Sequence, residues 1–240
     1  MCFIQTDFYI ERNNLNMRRT KLSDRILPTY TKGEEIFNMV SHIVGGIVGI
    51  VAIVLCSIIA AKNHNAPGVV SGVVFGCSLL ILYTMSSIYH GLNQNLKAKK
   101  VLQILDHCSI FLLIAGSYTP FCLCTLRQYN TALGWSLFGI IWGIAILGII
   151  LNSIDLKKFK VFSMICYLIM GWCIILKVNV LLDSLGIIGF SLLLGGGICY
   201  TIGAVLYGIG KRKKWMHSIF HVFCVISSVL HLLCILLYVL

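Results

Sequence analysis

The sequence predicts an all-α protein that crosses a membrane as one bundle of seven transmembrane helices. Composition is the first reason: the 240 residues are 58% hydrophobic and only 11% charged, with a mean hydropathy of +0.92, unlike soluble domains. Long apolar stretches are the second, because a membrane-spanning helix needs roughly 20 such residues in succession. Their length and uniform apolarity favour helices over the alternating strands of a barrel.

Seven apolar stretches follow one another with short polar joints between them. They run approximately over residues 36–61, 68–90, 104–126, 131–151, 159–178, 185–209 and 216–240. The first 35 residues are polar and basic and lack the apolar core of a signal peptide. The predicted division is therefore a basic cytosolic tail over residues 1–35 and a seven-helix transmembrane domain over residues 36–240.

The distribution of basic residues predicts the orientation of this bundle. Most of the 19 Lys and Arg residues lie in the tail and in the second, fourth and sixth joints; the other joints hold only Lys62, Arg127 and Lys177. Joints rich in Lys and Arg stay in the cytosol, so the N-terminus is predicted to be cytosolic and the C-terminus outside. The net charge of +11 fits contact with anionic membrane lipids, and no nucleic-acid partner is expected. The expected location is the plasma membrane.

Glycines spaced four residues apart predict where helices pack closely. Such pairs let membrane helices approach each other where no hydrophobic effect drives them together. The pairs are Gly45 and Gly49, Gly72 and Gly76, and Gly139 and Gly143.

Polar residues at the ends of three spans are predicted to meet at the cytosolic face. The second span ends at His90, the third begins near Asp106, and the seventh begins with His217 and His221. His217 and His221 are four residues apart, so they share one helix face at a separation of about 6 Å. Three neutral imidazoles with an open fourth position are typical of a catalytic zinc. We therefore predict that His90, His217 and His221 are metal ligands.

Two further polar residues near this site suggest hydrolytic chemistry. Zinc lowers the pKa of a bound water toward about 7, so that hydroxide becomes available at neutral pH. Asp106 would accept a proton from this water or orient it. Ser86, one turn before His90, would donate a hydrogen bond to the site or to a developing oxyanion.

Two more histidines within the spans have roles that the sequence leaves open. His42, in the first span, either supports the metal ligands or forms a hydrogen bond to another helix. His231 lies 14 residues after His217, roughly 21 Å along the helix, and so cannot bind the same ion. It is interpreted as a buried polar contact or as part of a separate path.

Several motifs occur in order along the chain, and together they indicate a family. They are Glu34-Glu35 with Asn38, Ser41-His42, Ser86-Ser-Ile-Tyr-His90, Leu105-Asp-His107, Ala115-Gly-Ser-Tyr-Thr-Pro120, Gly196-Gly-Ile-Cys-Tyr200 and His217-Ser-Ile-Phe-His221. From about Glu34 onward the chain resembles the hemolysin III family, the bacterial branch of the progestin and adipoQ receptor superfamily. The resemblance implies a seven-helix bundle with a zinc near the cytosolic face. It also implies that His90, His217 and His221 bind this zinc and that Asp106 lies near the metal's water.

The leading functional hypothesis is a zinc-dependent hydrolase of an acyl lipid, either an amide or an ester. The superfamily resembles membrane ceramidases, which favours this class. A second hypothesis is a pore-forming cytolytic protein, suggested by the family name, although nearly uncharged spans offer few residues to line a pore. A third is a zinc-stabilised receptor or scaffold without catalysis, and a fourth is a haem protein with paired imidazole ligands.

Overall fold

The computed structural model describes residues 19–210 and 213–240, and this part of the chain is helical without a β-strand. Residues 1–18 of the predicted tail, and Lys211 and Arg212 of the sixth joint, lie outside the described residues. The main helices are α1 (Lys32–Lys62), α2 (Ala66–Gly91), α3 (Lys97–Pro120), α4 (Thr131–Asp155), α5 (Lys160–Trp172), α6 (Val178–Ile209) and α7 (Met216–Tyr238). A π-helical segment (Phe121–Leu126) and a short helix (Arg127–Tyr129) extend α3, and a 3-10 helix (Cys173–Lys177) joins α5 to α6.

Within the described residues, six helical runs are long and apolar enough to cross a membrane. This finding confirms the all-α membrane class. Four of the runs are α1, α2, α4 and α7, and the remaining two are Lys97–Tyr129 and Lys160–Ile209. The number is six because the predicted fifth and sixth spans belong to one run of 50 residues.

The joint that we predicted between residues 178 and 185 is helical. Its polar residues Asn179 and Asp183 lie on the exposed side of the helix, so they do not interrupt it. The break in this run lies instead at Gly186, whose φ of 64° and ψ of 175° are not helical. Residues with a Cβ rarely adopt this conformation, and glycine does so readily.

Glycines allow α1 and α2 to pack closely along their length. A Cβ added at Gly49 would lie 2.8 Å from the backbone nitrogen of Leu80, and one at Gly76 would lie 2.7 Å from a backbone nitrogen of α1. The predicted close approach is therefore present at these positions. The prediction of close packing is wrong for Gly139 and Gly143. Both are exposed, and a Cβ added at either would have no neighbour within 4 Å.

The segment before α1 packs across one end of the bundle. Residues 19–31, which we call the strap, belong to the predicted tail. The Thr20 backbone N–H donates to the carboxylate of Asp155 at the end of α4, over 2.7 Å. The Arg25 guanidinium donates to the side-chain oxygen of Gln103, near the start of α3, over 3.0 Å. We call this end of the bundle the basic end.

Replacement of Gly76 by valine should push α1 and α2 apart. We expect Gly76→Val to lower the free energy of unfolding by about 1–3 kcal/mol, because an oversized side chain must displace packed backbone. Gly143→Val adds the same atoms where no neighbour lies within 4 Å and should leave stability unchanged. Thermal unfolding of the detergent-solubilised variants measures the difference, and equal melting temperatures would contradict this packing.

Candidate metal centre

Three histidines from two helices meet at the basic end of the bundle. His90 lies in the last turn of α2, and His217 and His221 lie in the first two turns of α7. All three are buried, and one ring nitrogen of each lies within 4.8 Å of those of its two partners. The Nε2 atoms of His217 and His221 are 3.0 Å apart. The predicted metal ligands are therefore neighbours in space.

The carboxylate of Glu35 on α1 selects the tautomer of His90. Glu35 Oε2 lies 2.6 Å from His90 Nδ1, so Nδ1 carries the proton and donates it to the carboxylate. His90 Nε2 then keeps its lone pair, and it is buried without a hydrogen-bond partner among the described residues. A buried acceptor in this state is costly unless a cation or donor binds it. Carboxylate–histidine pairs of this kind orient the histidine ligands of metal ions.

Lys99 holds the second oxygen of Glu35. Its Nζ lies 2.6 Å from Glu35 Oε1 and also donates to the carbonyl oxygen of Leu92 over 2.9 Å. The Lys99 residue is only 1% exposed, so this ion pair is shielded from water. One carboxylate thus connects α1 to the end of α2 and the start of α3.

The neighbouring Glu34 fixes the start of α7. Its Oε1 accepts a hydrogen bond from the backbone N–H of Trp215 over 2.6 Å, and its Oε2 accepts from the backbone and hydroxyl of Thr31. Trp215 has a φ of 65°, a left-handed conformation that turns the chain directly into α7. Because His217 follows two residues later, this contact places the first ligand of α7 against α1.

The donor set fits a divalent metal ion. Three neutral imidazole nitrogens suit zinc, copper, nickel or iron, and in a tetrahedral site they leave a fourth position open. His90 Nε2 has no competing partner among the described residues, which is what a ligand atom requires. Among these residues, no thiolate or carboxylate belongs to the group.

His42 lies directly behind the ligand group. Its ring stacks on that of His221, with centroids 3.6 Å apart and an angle of 16° between the planes. It also meets Tyr83 edge-on at 4.9 Å. Within the described residues neither of its ring nitrogens has a hydrogen-bond partner, although the side chain is buried. His42 is thus placed to support His221 by packing and is not one of the three grouped ligands.

Asp106 and Ser86 lie beside the histidines in the wall of the same cavity. The buried Ser86 hydroxyl lies close to the Asp106 carboxylate. The Oδ2 atom of Asp106 lies 3.5 Å from His107 Nδ1. The Asp106 carboxylate is therefore oriented by its neighbours and remains outside the ligand group.

A cavity of about 190 Å³ extends from the histidines into the apolar interior. His217 and His221 line one end of it, while Trp172 and His231 line the opposite end. Along α7, the distance from His217 to His231 is about 21 Å. His231 Nε2 lies 3.3 Å from the carbonyl oxygen of Leu193, so this histidine forms a separate polar contact. The structure thus places it far from the metal ligands.

The sequence did not predict the roles of Glu35 and Lys99. In the sequence Glu35 stands out only as part of a motif, and Lys99 is one of several basic residues in a joint. One sequence pattern could have indicated Glu35. It lies three residues before Asn38, which lies four residues before His42, so all three share one face of α1. No sequence pattern distinguishes Lys99 from the neighbouring basic residues Lys97 and Lys100.

Comparisons with known proteins add to this geometry. A family model described as "Haemolysin-III related" matches residues 30–232. "Hemolysin-3" of Bacillus cereus is 42% identical over 207 residues, which cover 86% of this chain and 92% of the relative. "Hemolysin-3 homolog" of Bacillus subtilis is 40% identical over 209 residues, or 87% and 96% of the two chains. Human "Monocyte to macrophage differentiation factor" is 26% identical over 166 residues, 66% of each chain, and it supports the wider superfamily resemblance.

Loss of the Glu35 charge should weaken metal binding. We expect Glu35→Gln to lower the affinity about 10–100-fold, because an amide orients His90 Nδ1–H less strongly than a carboxylate. Asp183→Asn removes an exposed carboxylate on α6 and should have no effect. Competition with a chelating dye measures both affinities, and equal values for Glu35→Gln and wild type would argue against this orienting role.

Proposed function

The chain belongs to the haemolysin III family, and we propose that it is a zinc-dependent hydrolase of an acyl lipid, an amide or an ester. The observation that carries this proposal is the position of the three-histidine group. It lies at one end of a deep apolar cavity, next to an oriented carboxylate. A soluble substrate would not need such a cavity, whereas a lipid has both a chain to bury and a polar bond to cleave.

We propose that the chain crosses the plasma membrane seven times with its basic end in the cytosol. The run Lys160–Ile209 has 50 residues, and at 1.5 Å per residue its length along the helix axis is about 75 Å. This is more than twice the roughly 30 Å of a bilayer core. The helix α4 ends at the basic end and α7 begins there, so the run between them must cross the membrane and return. The break at Gly186 is consistent with such a turn. The distribution of Lys and Arg supports the cytosolic assignment.

Zinc is the proposed ion because its preferred ligands include histidine nitrogens and it keeps four-coordinate sites. When bound, it would supply Lewis acidity that makes water a nucleophile near neutral pH and polarises a carbonyl. Glu35 and Lys99 would keep His90 in the tautomer that presents Nε2 to the ion. His42 would keep the ring of His221 in place by stacking on it.

Asp106 is the proposed general base and acid. Its carboxylate would accept a proton as water adds to the carbonyl carbon of the lipid, and would return that proton to the leaving amine or alcohol as the bond to the acyl group breaks. Ser86 would orient Asp106 through a hydrogen bond or donate to the developing oxyanion. The cavity between the histidines and His231 would hold the acyl chain, since two of its lining residues, His217 and His231, are about 21 Å apart along α7.

The names of the bacterial relatives support a second candidate, a haemolytic pore. A pore requires a continuous polar path across the bilayer. A smaller pocket adjoins the deep end of the cavity near Trp172 and His231 and argues against this path, because its lining is largely apolar and includes Phe121, Leu181 and Phe190. The hydrolase therefore remains the better supported proposal.

Replacement of Asp106 separates the two candidates. We expect Asp106→Asn to retain zinc and to lose at least about 100-fold in turnover, because the amide cannot accept the proton. Hydrolysis of a panel of ceramides and related acyl lipids by purified protein measures turnover, and leakage of dye from vesicles measures pore formation. If Asp106→Asn hydrolysed lipid as fast as wild type, the proposed mechanism would be wrong.

Metal content tests the ligand set directly. We expect about one zinc per purified chain and its loss in the double variant His217→Ala, His221→Ala, because one remaining imidazole cannot hold the ion. His64→Asn is the matched control, since His64 is exposed in a left-handed turn that asparagine tolerates. Elemental analysis gives the values. A double variant with the full zinc content would refute this site.

A further inference from the structure

The strap over residues 19–31 crosses the basic end of the bundle and reaches the histidine cluster at Tyr30. It is anchored to three different parts of the basic end. Besides the contacts of Thr20 and Arg25, the Lys100 ammonium donates to the carbonyl oxygen of Ser23 over 2.6 Å, and the Gln94 amide donates to that of Pro28 over 3.3 Å. Leu27 of the strap is itself buried, at 9% exposure. A segment held in this way is part of the folded end of the bundle.

Tyr30, next to the last residue of the strap, contacts the histidine cluster. The ring of Tyr30 stacks on that of His217, with centroids 4.9 Å apart and 21° between the planes. It also lies 5.7 Å from the ring of His90. Tyr30 thus covers two of the three histidines with its ring.

Both sides of Tyr30 are held in place. Pro28 restricts the backbone two residues before it. Thr31, directly after it, caps α1 by accepting a hydrogen bond from the Glu34 backbone and donating its own backbone N–H to the Glu34 side chain. The backbone on both sides of the ring is therefore held by contacts within the protein.

We propose that the strap is a cap that retains the metal ion, with Tyr30 as the positioning residue that covers and orients His217. This inference rests on the proposed metal site but not on lipid hydrolysis. The cavity proposed for the acyl chain is lined in part by residues of α3, α5 and α6, and Tyr30 is not among its lining residues. Release of the ion past Tyr30 to the aqueous side would require the strap to lift.

The rate of metal release tests this proposal. Full-length protein is loaded with zinc in detergent, and transfer of the zinc to an excess of a chelating dye is followed in time. We expect Tyr30→Ala to release zinc about two- to tenfold faster than wild type, since a stacked aromatic contact is lost. Tyr30→Phe keeps the ring and should release zinc at the wild-type rate. Tyr129→Ala, an exposed tyrosine at the opposite end, is the matched control.

A second variant distinguishes a cap from general loosening of the bundle. Gly76→Val disturbs the packing of α2 against Ile53 of α1, away from the strap, so release that accelerated as much with Gly76→Val as with Tyr30→Ala would overturn the proposal. If Tyr30→Ala does not fold, Tyr30→Leu, which keeps apolar volume without a ring, takes its place with the same expected result.

The remaining outcomes separate this inference from the proposed function. Wild-type release from Tyr30→Ala in a protein that binds zinc would overturn the cap alone. Fast release from Tyr30→Ala in a protein that binds zinc but hydrolyses no lipid would support the cap and overturn the hydrolase. A wild-type protein that holds no zinc would overturn both.

Discussion

The arrangement of the site depends on the carboxylate of Glu35. It accepts a hydrogen bond from His90 on one side and pairs with Lys99 on the opposite side, and thereby ties three helices together at a largely buried position. A buried ion pair gives little net stability, but removal of one partner typically costs about 3–5 kcal/mol because the remaining charge is left buried. The value of this pair therefore lies in its geometry. It permits one orientation of His90 and one register of α1 against α2 and α3.

A second polar layer lies below the histidines. The hydroxyl of Tyr83 on α2 is 2.7 Å from that of Ser228 on α7, which in turn is 2.8 Å from the hydroxyl of Tyr200 on α6. Polar groups inside a membrane must find partners within the protein, so these three residues hold their helices to one another. Because Tyr83 also packs against His42, the layer supports the site from the apolar side.

The sequence predicted that the three histidines would meet because their positions follow from simple periodicities. Alternate ends of successive spans reach the same face, and residues four apart share a helix face, so His90 and the pair on α7 had to converge. The sequence alone could not reveal that Lys99 is buried, because its burial depends on Glu35 of another helix facing it. Glycine spacing likewise does not say which face meets a neighbour, and Gly139 and Gly143 face outward. The break at Gly186 depends on a backbone angle that composition does not encode.

Helix α5 carries none of the metal ligands and is only lightly embedded. Of its residues only Ser163 and Met170 are buried, and it is held by a few hydrogen bonds, such as those from Tyr167 to the carbonyl of His107 and from Trp172 to Thr201. It nevertheless forms one wall of the cavity. The histidine group and this wall of the cavity are thus built on different helices. Substitutions on α5 would therefore change the shape of the cavity and leave the three histidines in place.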